Sequence, residues 1–248
     1  MYDKKFLMER LAAVGVDPAG TLMVHLSYKA IGDVEGRGDA VLDALTEYMR
    51  GGLLVLPSHT WDNVGVGNPV MDVLYTPSCV GKLPEIFRKR PGVRRSLHPT
   101  HSLAAAGADA VEFLSGEEHI KTPCGKGGAY YKLWERDAQI LMIGVNFTNN
   151  TFIHGIEEWD GAEGTISENK TDMYVIDYEG RRLYTPQYRH CAPIGSDTFG
   201  KLEPHAYKQS VVTYGRFGDA MTRLVRASRL RELAAGFLRE DRRYLMFY

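Results

Sequence analysis

Apolar residues gather in short unbroken runs along this chain, with stretches of helical period between some of them. The runs are TLMVHLS (21–27), LLVLPSH (53–59), HSLAAAG (101–107) and AQILMIGV (138–145). Each is strand-length and apolar throughout, which predicts strands covered on both faces. Between the first two, GDAVLDALTEYM places Val41, Leu42, Leu45 and Met49 at helical spacing, as in a crossover connection. The N-terminal MYDKKFLMERLAAVG sets Phe6, Leu7, Leu11 and Val14 on one helical face. The expected fold is α/β, with a mixed, largely parallel central sheet and helices on both faces.

Two segments interrupt the alternation. MYVIDYEGRRLYTP (173–186) reads as a hairpin turning at Glu179-Gly180, which predicts an antiparallel element in the sheet. The C-terminal GDAMTRLVRASRLRELAAGFLRED reads as an amphipathic helix with basic residues on its wet face. Residues 61–80 form a long turn-rich stretch of the kind that often carries function. No repeat, low-complexity tract or linker divides the chain, so 1–248 is expected to be a single domain.

Bulk properties act by exclusion. Apolar residues at 44% and charged residues at 25% suit a soluble globular protein. Thirty Lys and Arg against 31 Asp and Glu leave a net charge of -1, so no nucleic-acid partner is expected. No apolar run approaches bilayer length and the N-terminus does not read as a signal peptide, so no membrane partner and a cytoplasmic location are expected. Cys79, Cys124 and Cys191 are widely separated and form neither a disulfide framework nor a CxxC site, which fits reduced thiols.

Candidate chemistry collects where strands meet loops. HLSYK ends the first strand, PSHTWD the second and TNNTFIH the fourth, while RRSLHPTH leads into the third. In open α/β sheets, ligands bind beyond the carboxyl ends of strands. If residues 151–160 open a helix with Thr151 as N-cap, His154 and Glu157 are neighbours on one face. Such a pair can move protons, ligate a metal, or satisfy each other structurally. His98 and His101 could be recruited to a metal, but there is no HExxH and no Cys-His spacing, so no metal is expected. No GxSxG elbow suggests a serine hydrolase. CGKGG sets Gly125, Gly127 and Gly128 around Lys126, which reads either as a phosphate-contacting loop or as an ordinary turn. Arg94 and Arg95 read equally as solvated surface residues.

Together these stretches resemble the aminoglycoside 3-N-acetyltransferases, an acetyl-CoA-dependent family distinct from the GNAT fold. The matching segments are VHLSYKAIGDVEGRGDAVLDAL (24–45), LVLPSHTW (54–61) and YTPSCVGKLPEIFRKRPGVRRSLHPTHSLAAAG (75–107). They continue through PCGKGGAYYKLWERDAQILMIGVNFTNNTFIHGIEE (123–158) and, more faintly, RFGDAMTRLVRA (216–227). The resemblance implies that His154 is the general base on a substrate amine and Glu157 its support. The family's NTxxHxxE motif stands here as Asn150, Thr151, His154 and Glu157. It also implies that the segments around Ser27, Lys29, Ser58, Arg95, His98 and Ser102 shape an acetyl-CoA pocket, with Gly125 and Lys126 in a loop near the cofactor. Three departures stand out: Thr148 and Asn149 where the family often has Asp and Arg, Gly128-Ala129 in place of Ser-Pro, and Leu26-Ser27 in place of Ser-Ser.

The chemistry fits the resemblance. An ammonium must lose a proton before its nitrogen attacks a thioester, and donors must meet the oxyanion that forms. Thr151 is the candidate for part of that oxyanion hole. A polycationic acceptor such as an aminoglycoside requires acid, and Asp62, Glu158, Asp160 and Glu163 flank the expected site with Asn150, although a solvated loop explains the acidic run equally well. The competing readings are a family member acetylating a non-antibiotic amine, a non-catalytic acyl-CoA-binding homologue, and a metal-dependent hydrolase. A homodimer is compatible with all of them.

Overall fold

The structure, a computed structural model, describes residues 1–191 and 195–246. Its strands in chain order are β1 (Thr21–Leu26), β2 (Leu53–Pro57), β3 (Val70–Asp72), β4 (Arg94–Arg95), β5 (Leu103–Ala106) and β6 (Gln139–Ile143), followed by β7 (Tyr174–Ile176), β8 (Arg182–Tyr184), β9 (Val212–Phe217) and β10 (Ala220–Arg226). The helices are α1 (Lys4–Val14), α2 (Tyr28–Ile31), α3 (Arg37–Tyr48), α4 (Lys82–Phe87) and α5 (Ala110–Phe113), then α6 (Ala129–Glu135), α7 (Phe152–Asp160), α8 (Leu202–Lys208) and α9 (Ala227–Glu240).

Seven strands make the central sheet, in the order β4-β5-β2-β1-β6-β10-β9. β1 lies parallel to both β2 and β6, and these three form its centre. β5 and β10 run against them, and β4 and β9, antiparallel to those in turn, return to the common direction. The sheet is therefore mixed and largely parallel in strand direction, with its parallel ladders confined to the middle. The expected crossover is α3, joining β1 to β2.

Burial follows the period of two. Leu22 and Val24 of β1 pack with α1, α3 and α4, whereas Met23 packs with α6, α7 and α9 on the other face. In β2 the same split separates Leu54 and Leu56 from Leu53 and Val55. Both faces are covered by helices, which is why these runs carry no polar alternation. In α1, Leu7, Leu11 and Val14 are buried as expected, and half-buried Phe6 stacks on Tyr2.

Two expectations are corrected. The hairpin at 173–186 forms, with Gly180 in the left-handed region, but β7 and β8 belong to a separate three-stranded sheet with β3. The central sheet is mixed for a different reason, its outer β5 and β10. The C-terminal segment is not one helix: Ala220–Arg226 is strand β10, and only α9 is helical. Thr222, Leu224 and Val225 suit a strand, and Gly218-Asp219 makes the tight turn from β9. The 61–80 stretch contributes β3 to the small sheet.

β6 leaves the sheet through Gly144, whose φ is 66°. A Cβ there would lie 2.3 Å from the Ala30 Cβ. Gly144→Ala combines left-handed strain with overpacking, so it should cost at least ~2 kcal/mol and lower Tm; an unchanged melting curve refutes this.

Glu117, 2% exposed, accepts hydrogen bonds from the Ala129 N–H at the start of α6 (2.6 Å) and from Ser96 Oγ (3.1 Å). Burial lifts its carboxyl to about 7 despite those donors. Below the unfolded carboxylate's range both states hold the proton and no penalty arises. As pH climbs toward 7 the unfolded chain loses the proton first, so stability falls, by up to ~3 kcal/mol. Glu117→Gln keeps an acceptor for the Ala129 N–H, turns its NH2 toward Ser96 Oγ and removes the titration. The Tm gap between variant and wild type should widen in the variant's favour from pH 4.5 to 7.5; a gap constant across that range rejects the account.

Candidate active site

The carboxyl ends of β1, β2 and β6 open into a cleft of about 430 Å³. His25 and Leu26 reach it from β1, Pro57 and His59 from β2, and Val145, Thr148 and Asn149 from the segment after β6. Thr151 and His154 line it from the start of α7, and Arg189, His190, Gly195 and Ser196 complete the lining described here. The strand order reverses around β1, since β2 lies to one side and β6 to the other. Open α/β sheets place ligands at such a switch point.

α7 delivers the central pair. The His154 Nδ1–H donates to Glu157 Oε2 over 2.8 Å, with the carboxylate 2% exposed and the imidazole side chain 15% exposed. The three-residue spacing stacks them on one helical face. Burial raises the Glu157 carboxyl, an effect opposed by the His154 contact. This bond orients the ring and leaves Nε2 as the free basic nitrogen. Thr151 occupies the N-cap position but makes no side-chain cap; Asn150 Oδ1 instead accepts from the Phe152 N–H (3.2 Å).

Histidines crowd around this pair. The His190 ring lies 4.2 Å from His154 at 33°, and Phe199 stands edge-on to His154 at 4.7 Å. His101 lies 5.2 Å from His190 and 4.8 Å from His59. His59 Nε2 bonds the buried Tyr130 hydroxyl at 2.7 Å. His98 Nδ1 accepts from the Thr100 and His101 N–H groups, and its Nε2 faces the Thr122 carbonyl at 3.1 Å, which fixes a neutral ring. Burial holds His59, His101 and His190 well below the usual range, and His25 and His98 at about 4.

The acids expected to face a cation are mostly engaged elsewhere. Glu158 accepts from Thr122 Oγ1 (2.5 Å), the Cys124 N–H (2.9 Å) and His190 Nε2 (2.9 Å), and burial raises its carboxyl to about 6. Asp160 forms a two-pronged pair with Arg231 at 2.9 and 3.0 Å, away from the cleft. Glu163 pairs with Arg243. Asp62 is exposed, next to the cleft residue Trp61. No carboxylate is among the described residues that line the cleft.

Four residues expected to contact cofactor are buried beneath the cleft. Arg95 reaches Ser58 O (2.7 Å), Thr76 O (2.6 Å) and Ser102 Oγ (3.0 Å), and Ser102 Oγ in turn bonds Ser58 O (2.6 Å). Burial disfavours the charge on Arg95, yet its fork of donors meets four acceptors, Val73 O at 3.4 Å among them, and welds β2, β5 and the 70s loop together. Ser58, Arg95, His98 and Ser102 therefore hold the floor and do not line it, and Arg95 is not the solvated residue that its type suggests. Arg94, by contrast, is exposed and lies over the Tyr178 ring. Half-buried Ser27 and exposed Lys29 follow β1 close to the cleft without lining it. Gly125 and Lys126 border a separate depression beside Glu158 and Trp159.

Sequence reasoning missed His59, Tyr130 and His190 as site components, and weighed His101 only as a metal ligand. His59 stands at a strand end already marked as polar, whereas His190 lies alone in a loop and carries no local signal.

A family model described as aminoglycoside 3-N-acetyltransferase matches residues 23–239. The aminoglycoside N(3)-acetyltransferase IV of a Salmonella species is 27% identical over 241 residues, covering 96% of this chain and 88% of that protein. The SPbeta prophage-derived aminoglycoside N(3')-acetyltransferase-like protein YokD of Bacillus subtilis strain 168 is 29% identical over 172 residues, covering 61% of this chain and 63% of its own length. The crystal structure of aminoglycoside acetyltransferase AAC(3)-IVa in complex with a gentamicin superposes with a TM-score of 0.87 at 24% identity, covering 100% of this chain and 93% of the other. The AAC-IIIb binary structure with CoASH gives 0.84 at 23% identity, covering 96% and 97%. The chain belongs to the aminoglycoside 3-N-acetyltransferase family.

Proposed function

We propose that this protein transfers an acetyl group from acetyl-CoA directly to a primary amine, with His154 as general base. The observation that carries this reading is the His154–Glu157 bond, presented to a cleft at the carboxyl ends of three parallel strands. A relative solved with CoASH and another solved with a gentamicin support the two substrates. The amine nitrogen attacks the thioester carbonyl carbon, forming the C–N bond and a tetrahedral oxyanion. His154 Nε2 takes the proton from that nitrogen while Glu157 stabilises the imidazolium. The C–S bond then breaks, and the imidazolium proton passes to the departing thiolate. Thr151 and its neighbours on the cleft wall are the groups placed to meet the oxyanion. Each proton movement in the transfer step uses protein groups alone. The three free cysteines fit a reducing cytoplasm.

For the acceptor, the family's substrate class is the 3-amino group of an aminoglycoside. A second reading, a less highly charged non-antibiotic amine, is favoured by one observation. The acids Glu158, Asp160 and Glu163 are spent on internal partners, and Arg189 lines the cleft. A polycation would find attraction chiefly at Asp62.

His154→Ala should lower kcat by ~10²–10⁴-fold while leaving acetyl-CoA affinity near wild type, because a base acts in the transition state. Glu157→Gln should lower kcat less, since the amide still accepts the Nδ1–H but cannot stabilise the imidazolium. Near-normal turnover by folded His154→Ala, in a thiol-release assay, removes the assignment.

Asp62→Asn and rising salt should both increase KM for an aminoglycoside and leave KM for a simple monoamine unchanged. Turnover of monoamines only across such a panel establishes the second reading. An aminoglycoside KM insensitive to salt and to Asp62 eliminates that carboxylate as an acceptor contact.

A further inference from the structure

Beside the His154–Glu157 pair lies a second group of donors that the transfer step does not use. Cys124 Sγ, a Glu158 carboxylate oxygen and a His190 ring nitrogen all lie within 4.8 Å of one another. We propose that Cys124, Glu158 and His190 form a binding site for one transition-metal dication of the zinc class.

Geometry supports this first. Bonds of 2.0–2.3 Å in a tetrahedral zinc site separate the donors by about 3.3–3.5 Å. Glu158 and His190 already stand 2.9 Å apart, so an ion between them opens that pair slightly and draws the sulfur inward by ~1 Å. One sulfur, one imidazole nitrogen and one carboxylate oxygen are a donor set for zinc or cobalt, and a poor one for magnesium or calcium.

The donors are also held from behind, as ligands in metal sites are. Glu158 Oε2 accepts from the Thr122 hydroxyl (2.5 Å) and Oε1 from the Cys124 N–H (2.9 Å). The Cys124 carbonyl accepts from Trp159 Nε1 at 2.7 Å. His190 is packed between the rings of His154 and His101. The three ligands come from the turn before α6, from α7 and from the segment after β8. Linear Cys-His spacing therefore could not reveal them.

Binding breaks the Cys124 S–H bond and releases its proton to solvent. The His190 proton now shared with Glu158 moves to Nδ1, so that Nε2 can bind the ion. Three protein ligands leave a fourth position for water or a ligand atom. Because Glu157 serves His154 and Glu158 serves His190, an ion at this site leaves the His154–Glu157 bond intact. Its effect is to tie three segments of the cleft wall together.

The test uses the full-length protein after chelation and dialysis, titrated with Co²⁺. One equivalent should produce d–d bands and a thiolate-to-cobalt charge-transfer band, and Zn²⁺ should displace both. Cys124→Ser should abolish the charge-transfer band and weaken binding at least 10-fold, while Cys79→Ser and Cys191→Ser retain it. If Cys124→Ser fails to fold by circular dichroism, His190→Gln replaces it, and an equal loss of affinity is expected. Absence of the charge-transfer band in wild type, its persistence without the Cys124 thiol, or full affinity in His190→Gln overturns the site. None of these readouts depends on acetyl transfer, so their failure leaves the proposed reaction to its own assays.

Discussion

The hydrogen bond from His154 to Glu157 sets one imidazole apart from several neighbouring ones. His25, His59, His98, His101, His154 and His190 occupy one region, and a low-dielectric interior does not tolerate several positive rings at such separations. Burial keeps five of these six neutral through the physiological range. His154 differs in combining an exposed edge on the cleft with a buried carboxylate at Nδ1. A neutral ring with a lone pair directed at a reacting amine is what base chemistry needs. The surrounding neutral rings supply a polar wall that adds no competing charge.

That bond depends in turn on where β6 ends. The strand is apolar and buried at every position after Gln139, and Gly144 turns the chain sharply past Ala30. The short helical turn at 147–149 and the Asn150 cap then start α7 with its first residues over the strand ends. Beneath them, Arg95 ties the end of β2, the start of β5 and the 70s loop together through Ser58 O, Ser102 Oγ, Val73 O and Thr76 O. A buried guanidinium is a costly way to build a floor, and it is stable here because its donors meet acceptors in the protein. The rigidity is useful: a base must be held close to the reacting atom for its contribution to be realised.

Much of this was legible in the chain. The four core strands, the α3 crossover and the HxxE pair follow from hydrophobic period and local spacing, which are short-range properties. β10 was not legible as a strand, because RLVRASRLRELAAGFL carries a helical pattern whose first residues are overridden by pairing with β6 and β9. The buried roles of Arg95, Ser58 and Ser102 were hidden for a related reason. Residue type predicts exposure for arginine and serine, and only the tertiary partners reverse that expectation. His190 is the extreme case, since its stacking on His154 and its bond to Glu158 join segments more than 30 residues apart.

The same reasoning changes how the acidic run bears on specificity. Read along the chain, Glu158, Asp160 and Glu163, beside Glu157, look like a negative surface for a cation. In the fold, each turns toward a different partner: His154, His190, Arg231 and Arg243. On α7 the consecutive Glu157 and Glu158 point about 100° apart, and Glu163 lies beyond the helix. A carboxylate already compensated by a nearby cation or imidazole exerts a reduced field on an incoming ammonium. Charge recognition in this chain therefore has to come from loops that rim the cleft. Acceptor choice in this fold is thus set by residues that neither the His154–Glu157 pair nor the sheet constrains.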